Sequence, residues 1–368
     1  MDTRSRRSAY TLTDLAALVT VTAILGAVAI AALSDTRRNA RLGEDLASLQ
    51  RFAAATTAYA ADNEDLIWAL SWQDGGEYQM LQLDGTYEPF MPTSDEHGAR
   101  YQMVHLIRLI GNRIGNNGMP NIGGLLAAGV YYSHLPLMQY LGQDPLARWT
   151  VSAADNVRLN WKDDPQDKFD NGFWLPFQPS PSPTARRWPY SCGFEVTVSA
   201  WDVNQSELGP EFNGFRVEQS TAHNLFLIGP DDQLGQRPMS DVAYPGAKAH
   251  MFLGHQRHFG PTRTYFGVTH DVDGTNPKGA RVPVLTFDGA VLVRSLDECN
   301  PGWRPNIPYF SCHLFYYQPS SWEPAPVSGG GSEIAIGKCR WTRGGLLGID
   351  FGALPLDTGQ PDPGECDL

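Results

Sequence analysis

The chain has 368 residues, of which 28 are Lys or Arg and 40 are Asp or Glu, so its net charge is −12 at pH 7. This charge disfavours a nucleic-acid partner, because phosphate binding needs clustered basic side chains. The content of 42% hydrophobic and 11% aromatic residues excludes a wholly disordered chain, whereas 37 glycines and 27 prolines predict many turns and exclude a coiled-coil or multi-span membrane class.

A short basic segment and a long apolar run begin the chain. Arg4, Arg6 and Arg7 precede 19 residues without a charge, from Leu15 to Leu33. As a helix, this run would be about 28 Å long at about 1.5 Å per residue, close to the hydrocarbon thickness of a bilayer. It is longer than the apolar core of most cleaved signal peptides. The sequence therefore predicts a membrane span over about residues 15–33.

The segment directly before this run, residues 9–15, reads AYTLTDL. It resembles the processing site of type IV pilins and type II secretion pseudopilins, where a basic leader and a small residue precede Phe-Thr-Leu-Ile-Glu-Leu and a long apolar helix. The resemblance implies a leader of residues 1–9, cleavage by a prepilin peptidase between Ala9 and Tyr10, and N-methylation of Tyr10. Ala9 replaces the family's usual Gly, and Asp14 replaces its usual Glu.

The resemblance also gives Asp14 a role in assembly. A carboxylate inside a bundle of apolar helices is costly unless it is paired, and the α-amine of a neighbouring subunit would compensate it. Such a pair would also set the axial register between subunits. The residues alone leave a second interpretation open, in which Asp14 lies at the headgroup level or is favoured by the dipole of the helix N-terminus.

An amphipathic stretch follows the apolar run. Apolar residues recur at the spacing of one helix face, at Leu42, Leu46, Leu49 and Ala53. Charged residues lie between them, at Arg41, Glu44, Asp45 and Arg51. Residues 59–65, YAADNED, indicate a stop and resemble the end of the long helix in large pilin-like proteins. The sequence therefore predicts one helix over residues 10–62, with its second half packed on a globular head.

The remaining residues, 63–368, predict a β-rich head, so that the predicted class is α+β with an antiparallel sheet. Runs rich in Val, Phe and Tyr predict strands at 194–201, 224–228, 263–269, 282–287, 290–296 and 313–317. Asp288-Gly289 predicts a hairpin with a two-residue turn between the fourth and fifth of these. Short buried helices are predicted at 123–132 and 135–141, and a Pro-rich loop at 176–189.

The candidate metal-binding residues lack a recognised spacing. His250, His255 and His258 are close in sequence but do not form the H-E-x-x-H of zinc peptidases, and exposed strand or loop positions are the alternative. Asp271 and Asp273 match the start of a calcium loop whose later ligands are missing, and a plain turn is the alternative. No nucleotide-binding loop or nucleophile elbow occurs. The sequence therefore predicts no catalytic residue and no cofactor, with Ca²⁺ at Asp271 and Asp273 as the alternative.

Five cysteines lie in the C-terminal half, at Cys192, Cys299, Cys312, Cys339 and Cys366. No C-x-x-C pair occurs, which disfavours zinc ribbons and thioredoxin-type sites. In an exported head disulfides are permitted, and at most two can form. The short, turn-rich segment between Cys299 and Cys312 favours that pair.

These features together predict a structural, non-enzymatic subunit of the pilin-like or pseudopilin class. It would span the inner membrane once, with the head on the periplasmic or extracellular side, and join other pilin-like subunits through its N-terminal helix in a filament or a secretion pseudopilus. Two alternatives stay open. One is a binding protein or enzyme anchored by an uncleaved helix, and the other is an exported protein cut by signal peptidase near residues 27–31.

Overall fold

A computed structural model of the chain describes residues 12–111, 132, 134–163, 190–197, 200, 217–219, 226–228, 236–259, 268–269, 280–300, 314–317, 333–337, 339 and 345–352. Several helical residues are described by their backbone alone, among them residues 12–14, 26–28, 30 and 31. Within the described part the protein is α+β, with helices combined with antiparallel sheets.

The α-helices described are α1 (Leu12–Asp62), α2 (Asp95–Gly111) and α3 (Asn156–Asp163). The strands, in chain order, are β1 (Tyr78–Leu81), β2 (Tyr87–Phe90), β3 (Phe194–Val196), β4 (Val217–Gln219), β5 (Phe226–Ile228), β6 (Ala249–Leu253), β7 (Val268–Thr269), β8 (Arg281–Thr286), β9 (Val291–Ser295), β10 (Leu314–Tyr317) and β11 (Glu333–Gly337).

α1 is one continuous helix of 51 residues, which corresponds to about 77 Å at about 1.5 Å per residue. Its sequence is rich in Ala and Leu and contains no proline, so nothing interrupts the backbone hydrogen bonds. It ends at Asp62, inside the segment where the sequence predicts a stop. Glu64 and Asp65 then adopt φ angles of 53° and 63°, which a helix cannot continue through.

The core lies between the second half of α1 and a four-stranded antiparallel sheet with the order β3–β6–β8–β9. All five residues of β6 are buried, as are all residues of β8 except Arg281. α1 packs on this sheet along β8 and β9. Phe52 of α1 meets Phe194 of β3 edge to face, with a distance of 5.8 Å between ring centroids. The remaining described strands form smaller antiparallel pairs and a three-stranded sheet of β10, β11 and β7.

The hairpin predicted at Asp288-Gly289 is confirmed, because β8 and β9 pair antiparallel with Leu285 opposite Val291. Its turn differs from the expected one. The Thr286 amide donates to the Ala290 carbonyl at 3.0 Å, which leaves a three-residue connection, and Gly289 alone in it has a positive φ, of 85°. A two-residue type I′ turn would need positive φ at both central residues, so the glycine here closes a turn followed by a bulge.

Other predictions were confirmed in part. The predicted segments 194–201, 224–228, 263–269 and 313–317 contain β3, β5, β7 and β10, each shorter than expected. The helix expected at 135–141 is a 3₁₀-helix, Leu135–Tyr140, with a proline in its first turn. The predicted loop 176–189 and most of the predicted helix 123–132 lie outside the described residues. Helices α2 and α3, the β1–β2 hairpin and the central strand β6 were not predicted.

Candidate functional site

The first half of α1 exposes its apolar side chains. Seven large apolar residues there are each 53–64% exposed, at Leu15, Leu18, Val19, Val21, Ile24, Leu25 and Leu33. At about 100° of rotation per residue, they extend around more than half of the helix circumference. An apolar surface of this size marks a place where the protein meets a membrane or another protein.

Threonine hydroxyls in this half are satisfied within the helix. Thr20 and Thr22 donate through Oγ1 to the carbonyls of Ala16 and Leu18, both at 2.8 Å. Thr36 does the same with the Ala32 carbonyl at 2.8 Å. These internal hydrogen bonds remove the need for water at the hydroxyls, so the threonines do not oppose transfer of the surface into an apolar environment.

The residues of the predicted processing site are described only in part. Ala9 and Tyr10 lie outside the described residues, and Asp14 lies in the first turn of α1 without a described side chain. The predicted span at 15–33 includes five residues described by their backbone alone. In the part of the chain that the structure describes, none of the helices is both long and apolar enough to cross a membrane.

Asp45 joins α1 to the head. Its side chain is 1% exposed, and its Oδ2 accepts a hydrogen bond from Ser152 Oγ at 2.6 Å. Its Oδ1 accepts from the backbone N–H of Ala153 at 2.8 Å. His258 Nε2 lies 2.6 Å from the same Oδ2. One carboxylate thus connects the helix to residues 107 and 213 positions away along the chain.

The contacts of Asp45 with Ser152, Ala153 and His258 form a junction between α1 and the head. A second buried carboxylate, Asp155, extends this junction. Asp155 Oδ2 accepts from Arg158 Nη1 at 2.8 Å and from Arg257 Nη2 at 2.7 Å, and all three side chains are buried. Burial alone would raise the pKa of Asp155, but Arg257 and Arg158 hold that pKa below its ordinary value. Because Asp155 follows Ser152 closely and Arg257 precedes His258, the two segments that hold Asp45 are also joined to each other.

The junction contains Ser, Asp and His, but it is not arranged for nucleophilic catalysis. In a catalytic triad the histidine lies between the serine and the carboxylate, so that it can take the serine proton. Here Ser152 donates to Asp45, and His258 contacts the same oxygen. The three side chains are at most 2% exposed. The arrangement is suited to holding a helix in place.

The buried face of α1 differs from the predicted one. Leu49 is buried as expected, whereas Leu42, Leu46 and Ala53 are only partly buried. Asp45, one of the charged residues between the predicted apolar positions, is itself buried. The face that is buried consists of Asp45, Ser48, Leu49, Phe52, Ala55, Thr56, Tyr59 and Ala60. Near its end, Trp68 Nε1 donates to Thr56 Oγ1 at 3.0 Å, inside the core.

The sequence contained a signal for the position of Asp45 but not for its partners. Asp45 precedes Phe52 by seven residues, which is two helical turns, so the two share a face once Phe52 is known to be buried. Ser152 and His258 are polar residues in irregular segments, and no local pattern distinguishes them. Their role follows only from the distances across the junction.

The three histidines considered as metal ligands are buried, and His250 and His258 contact different groups. His250 lies against the rings of Trp68 and Phe287, with centroid distances of 5.7 and 4.1 Å. His258 contacts Asp45, and His255 is 2% exposed, so the alternative of exposed strand or loop positions was wrong for these three histidines. Among the described residues, no three His, Cys, Asp or Glu side chains are grouped to hold a metal ion. Asp271 and Asp273 lie outside the described residues.

Two buried histidines are held in the neutral form. Burial, and then the charge of Lys248, lowers the pKa of His250 to about 3. Burial, and then the charge of Lys162, lowers the pKa of His134 to about 3. Neither ring nitrogen of His134 has a hydrogen-bond partner within the described part of the chain. Burial also lowers the pKa of Lys162 itself to about 7, while its Nζ donates to the Pro145 carbonyl at 3.1 Å.

No family model, curated protein or solved structure matches this chain. The functional conclusion therefore rests on two features of the molecule itself. One is the apolar, exposed first half of α1, and the other is the polar junction that holds its second half on the head.

Proposed function

We propose that the protein is a pilin-like or pseudopilin subunit, which is inserted in the inner membrane through the first half of α1 and assembles with other subunits through the same surface. The observation that carries this proposal is the division of one continuous helix. Its second half is packed in the head through Leu49 and Phe52, whereas its first half presents apolar side chains such as Leu18 and Leu25 to the surroundings.

The exposed apolar half of such a helix requires an apolar environment both before and after assembly. Burial of apolar surface is worth about 25 cal/mol per Å², so the exposed half of α1 favours lipid before assembly and neighbouring helices afterwards. An ordinary anchor would need only the apolar half. The contacts of Asp45 fix the second half of α1 to the head. In a polymer, this connection would hold each head at one orientation relative to the axis. The head would lie on the periplasmic or extracellular side.

The proposal assigns the N-terminal residues as the family resemblance implies. A prepilin peptidase would cut after Ala9, and the α-amine of Tyr10 would be methylated. Asp14, in the first turn of α1, would pair with the α-amine of a neighbouring subunit. No catalytic residue and no cofactor enter this function, because assembly needs only apolar packing and one compensated charge.

The N-terminus of the purified native protein tests the assignment of the leader. We expect mass spectrometry to find a chain that begins at N-methylated Tyr10. A chain that begins near Met1 would instead support an anchored binding protein or enzyme. A chain that begins just after residues 27–31 would support an ordinary exported protein cut by signal peptidase.

Asp14→Ala tests the assembly role. We expect polymer formation in cells to fall by at least about 100-fold, because each uncompensated amine inside the helix bundle costs about 3–5 kcal/mol. Sheared surface polymer, quantified by immunoblot against total subunit, is the measurement. Asp14→Glu, which restores the family's residue, should assemble normally.

Asp35→Ala is the matched control, since Asp35 lies on the same helix and makes only an exposed ion pair with Arg38, at 3.2 Å. We expect it to assemble as the unchanged chain does. If Asp14→Ala assembles as well as this control, the assignment of the chain to this class is wrong.

A further inference from the structure

Two buried cysteines come together from elements far apart in the chain. Cys299 follows β9 after one 3₁₀ turn, and Cys339 follows β11. Cys299 is 4% exposed and Cys339 is 0% exposed. Their side chains are hydrogen-bonded to each other.

The backbone holds each cysteine in this position. The Cys299 amide donates to the Leu296 carbonyl at 3.1 Å, and Cys299 forms an isolated antiparallel bridge with Phe351. The Cys339 carbonyl accepts from Thr197 Oγ1 at 3.5 Å. The Cys299 thiol also lies 3.7 Å from the Ser295 carbonyl, to which it donates. These contacts fix the backbone of both cysteines and also orient the thiol of Cys299.

We propose that Cys299 and Cys339 form a disulfide in the exported head. The proposal rests on the proposed function, because disulfides form and persist in oxidising compartments outside the cytoplasm. A buried pair in contact is the arrangement that such a bond needs, since a disulfide requires its sulfurs to approach to about 2.05 Å without movement of the backbone.

The reaction is a thiol–disulfide exchange with an oxidant that itself carries a disulfide, such as a dithiol oxidase or oxidised glutathione. The thiolate of one cysteine attacks the oxidant disulfide and releases one of its sulfurs as a thiolate. The second cysteine, as its thiolate, then attacks the mixed disulfide, forms the bond between Cys299 and Cys339, and releases the other sulfur. The head loses two protons and two electrons, and the oxidant gains them as two thiols.

Burial determines when this exchange takes place. Burial, together with the hydrogen bond and electrostatic interaction with Cys299, raises the pKa of Cys339 well above its ordinary value, so the thiolate is rare in the folded head. Oxidation is therefore expected while the head is still folding. Once formed, the bond is shielded from external reductants by the same burial.

Cys192 provides a matched control. It is 0% exposed, like Cys339, but its thiol donates to the Thr150 carbonyl at 3.1 Å and its sulfur accepts from the Phe194 amide at 3.3 Å. These partners are backbone groups. We expect it to remain a thiol in the same preparation.

Peptide mapping of the full chain, purified in detergent after exposed thiols are alkylated, is the test. Proteolysis without reduction should yield one peptide that contains both Cys299 and Cys339 and is lighter by two hydrogens than the sum of its parts. The linked peptide should disappear in Cys299→Ser and persist in Cys192→Ser. Complete reduction under unfolding conditions, followed by refolding in the presence of the reductant, should lower the melting temperature by roughly 5–10 °C.

Two results would overturn the inference. One is a linked peptide that joins Cys299 to Cys312, and the other is an exported head in which Cys299 and Cys339 are both alkylated after unfolding without reduction. Refolding of the full chain in glutathione buffer tests whether Cys299 and Cys339 pair without export. Protease accessibility in cells measures export separately. A pair that forms in glutathione while the head stays protected in the cytoplasm supports the pairing and contradicts the proposed function.

Discussion

Asp45→Ala is expected to lower the free energy of unfolding of the head by about 3–5 kcal/mol, the usual cost of removing one partner from a buried charged cluster. The change leaves Ser152 Oγ, the Ala153 amide and His258 Nε2 without the carboxylate that each contacts at 2.6–2.8 Å. Ser152 and His258 are at most 2% exposed, so their polar atoms lose a partner inside the protein. Urea unfolding of the detergent-solubilised chain, followed by tryptophan fluorescence, is the measurement.

Asp35→Ala again serves as the control for this prediction. Asp35 is also an aspartate of α1, but its side chain is 64% exposed and its ion pair with Arg38 is on the surface. Exposed pairs of this kind contribute at most about 1 kcal/mol, and often less. If both variants unfold at the same urea concentration, the junction does not fasten the helix to the head in the way that its geometry indicates.

Acidification should destabilise the head well above the pH at which carboxylates titrate. His134 and His250 have pKa values of about 3 in the folded protein, against an ordinary value of 6.5. Between these values the unfolded chain binds protons that the folded chain does not, so the stability conferred by neutral histidines is present above pH 6.5 and is lost as the pH falls. Each histidine contributes about 1.4 kcal/mol per pH unit, so the two together contribute about 2.7 kcal/mol per pH unit.

Variants without these histidines separate this effect from other titrations. His250→Phe keeps an aromatic ring against Phe287 and Trp68, and His134→Leu removes a ring whose nitrogens make no hydrogen bond within the described part of the chain. Each should reduce the slope of unfolding free energy against pH by about 1.4 kcal/mol per pH unit between pH 6 and 4.5, and the double variant should reduce it by about 2.7 kcal/mol per pH unit. An unchanged slope in the double variant would show that other groups take up the protons.

The hairpin and α1 illustrate what local patterns can predict. Asp288-Gly289 between two Val-rich runs indicated two paired strands, and β8 and β9 are those strands. The YAADNED segment indicated the end of a helix, and α1 ends within it. The three-residue turn was missed because its bulge depends on the φ of a single glycine, which the dipeptide does not specify.

β6 and the histidine segment illustrate what local patterns miss. β6 is buried along its whole length, so it lacks the alternation of polar and apolar residues by which a half-exposed strand is recognised. His250 lies within it, and this is why a residue considered for metal binding proves to be part of the aromatic core. A short sequence cannot distinguish a buried histidine from an exposed one, because the difference depends on distant residues such as Trp68 and Phe287.

The sequence by itself determined that the chain begins with a long helix, apolar first and amphipathic afterwards, and that strands and tight turns follow. These properties depend on residues within a few positions of one another, so spacing and propensity are sufficient. Only the tertiary structure decided that Asp45 meets Ser152 and His258, and that Cys299 meets Cys339. These partners lie 40 to 213 positions apart, and it is the packing of the whole head that brings their buried side chains together.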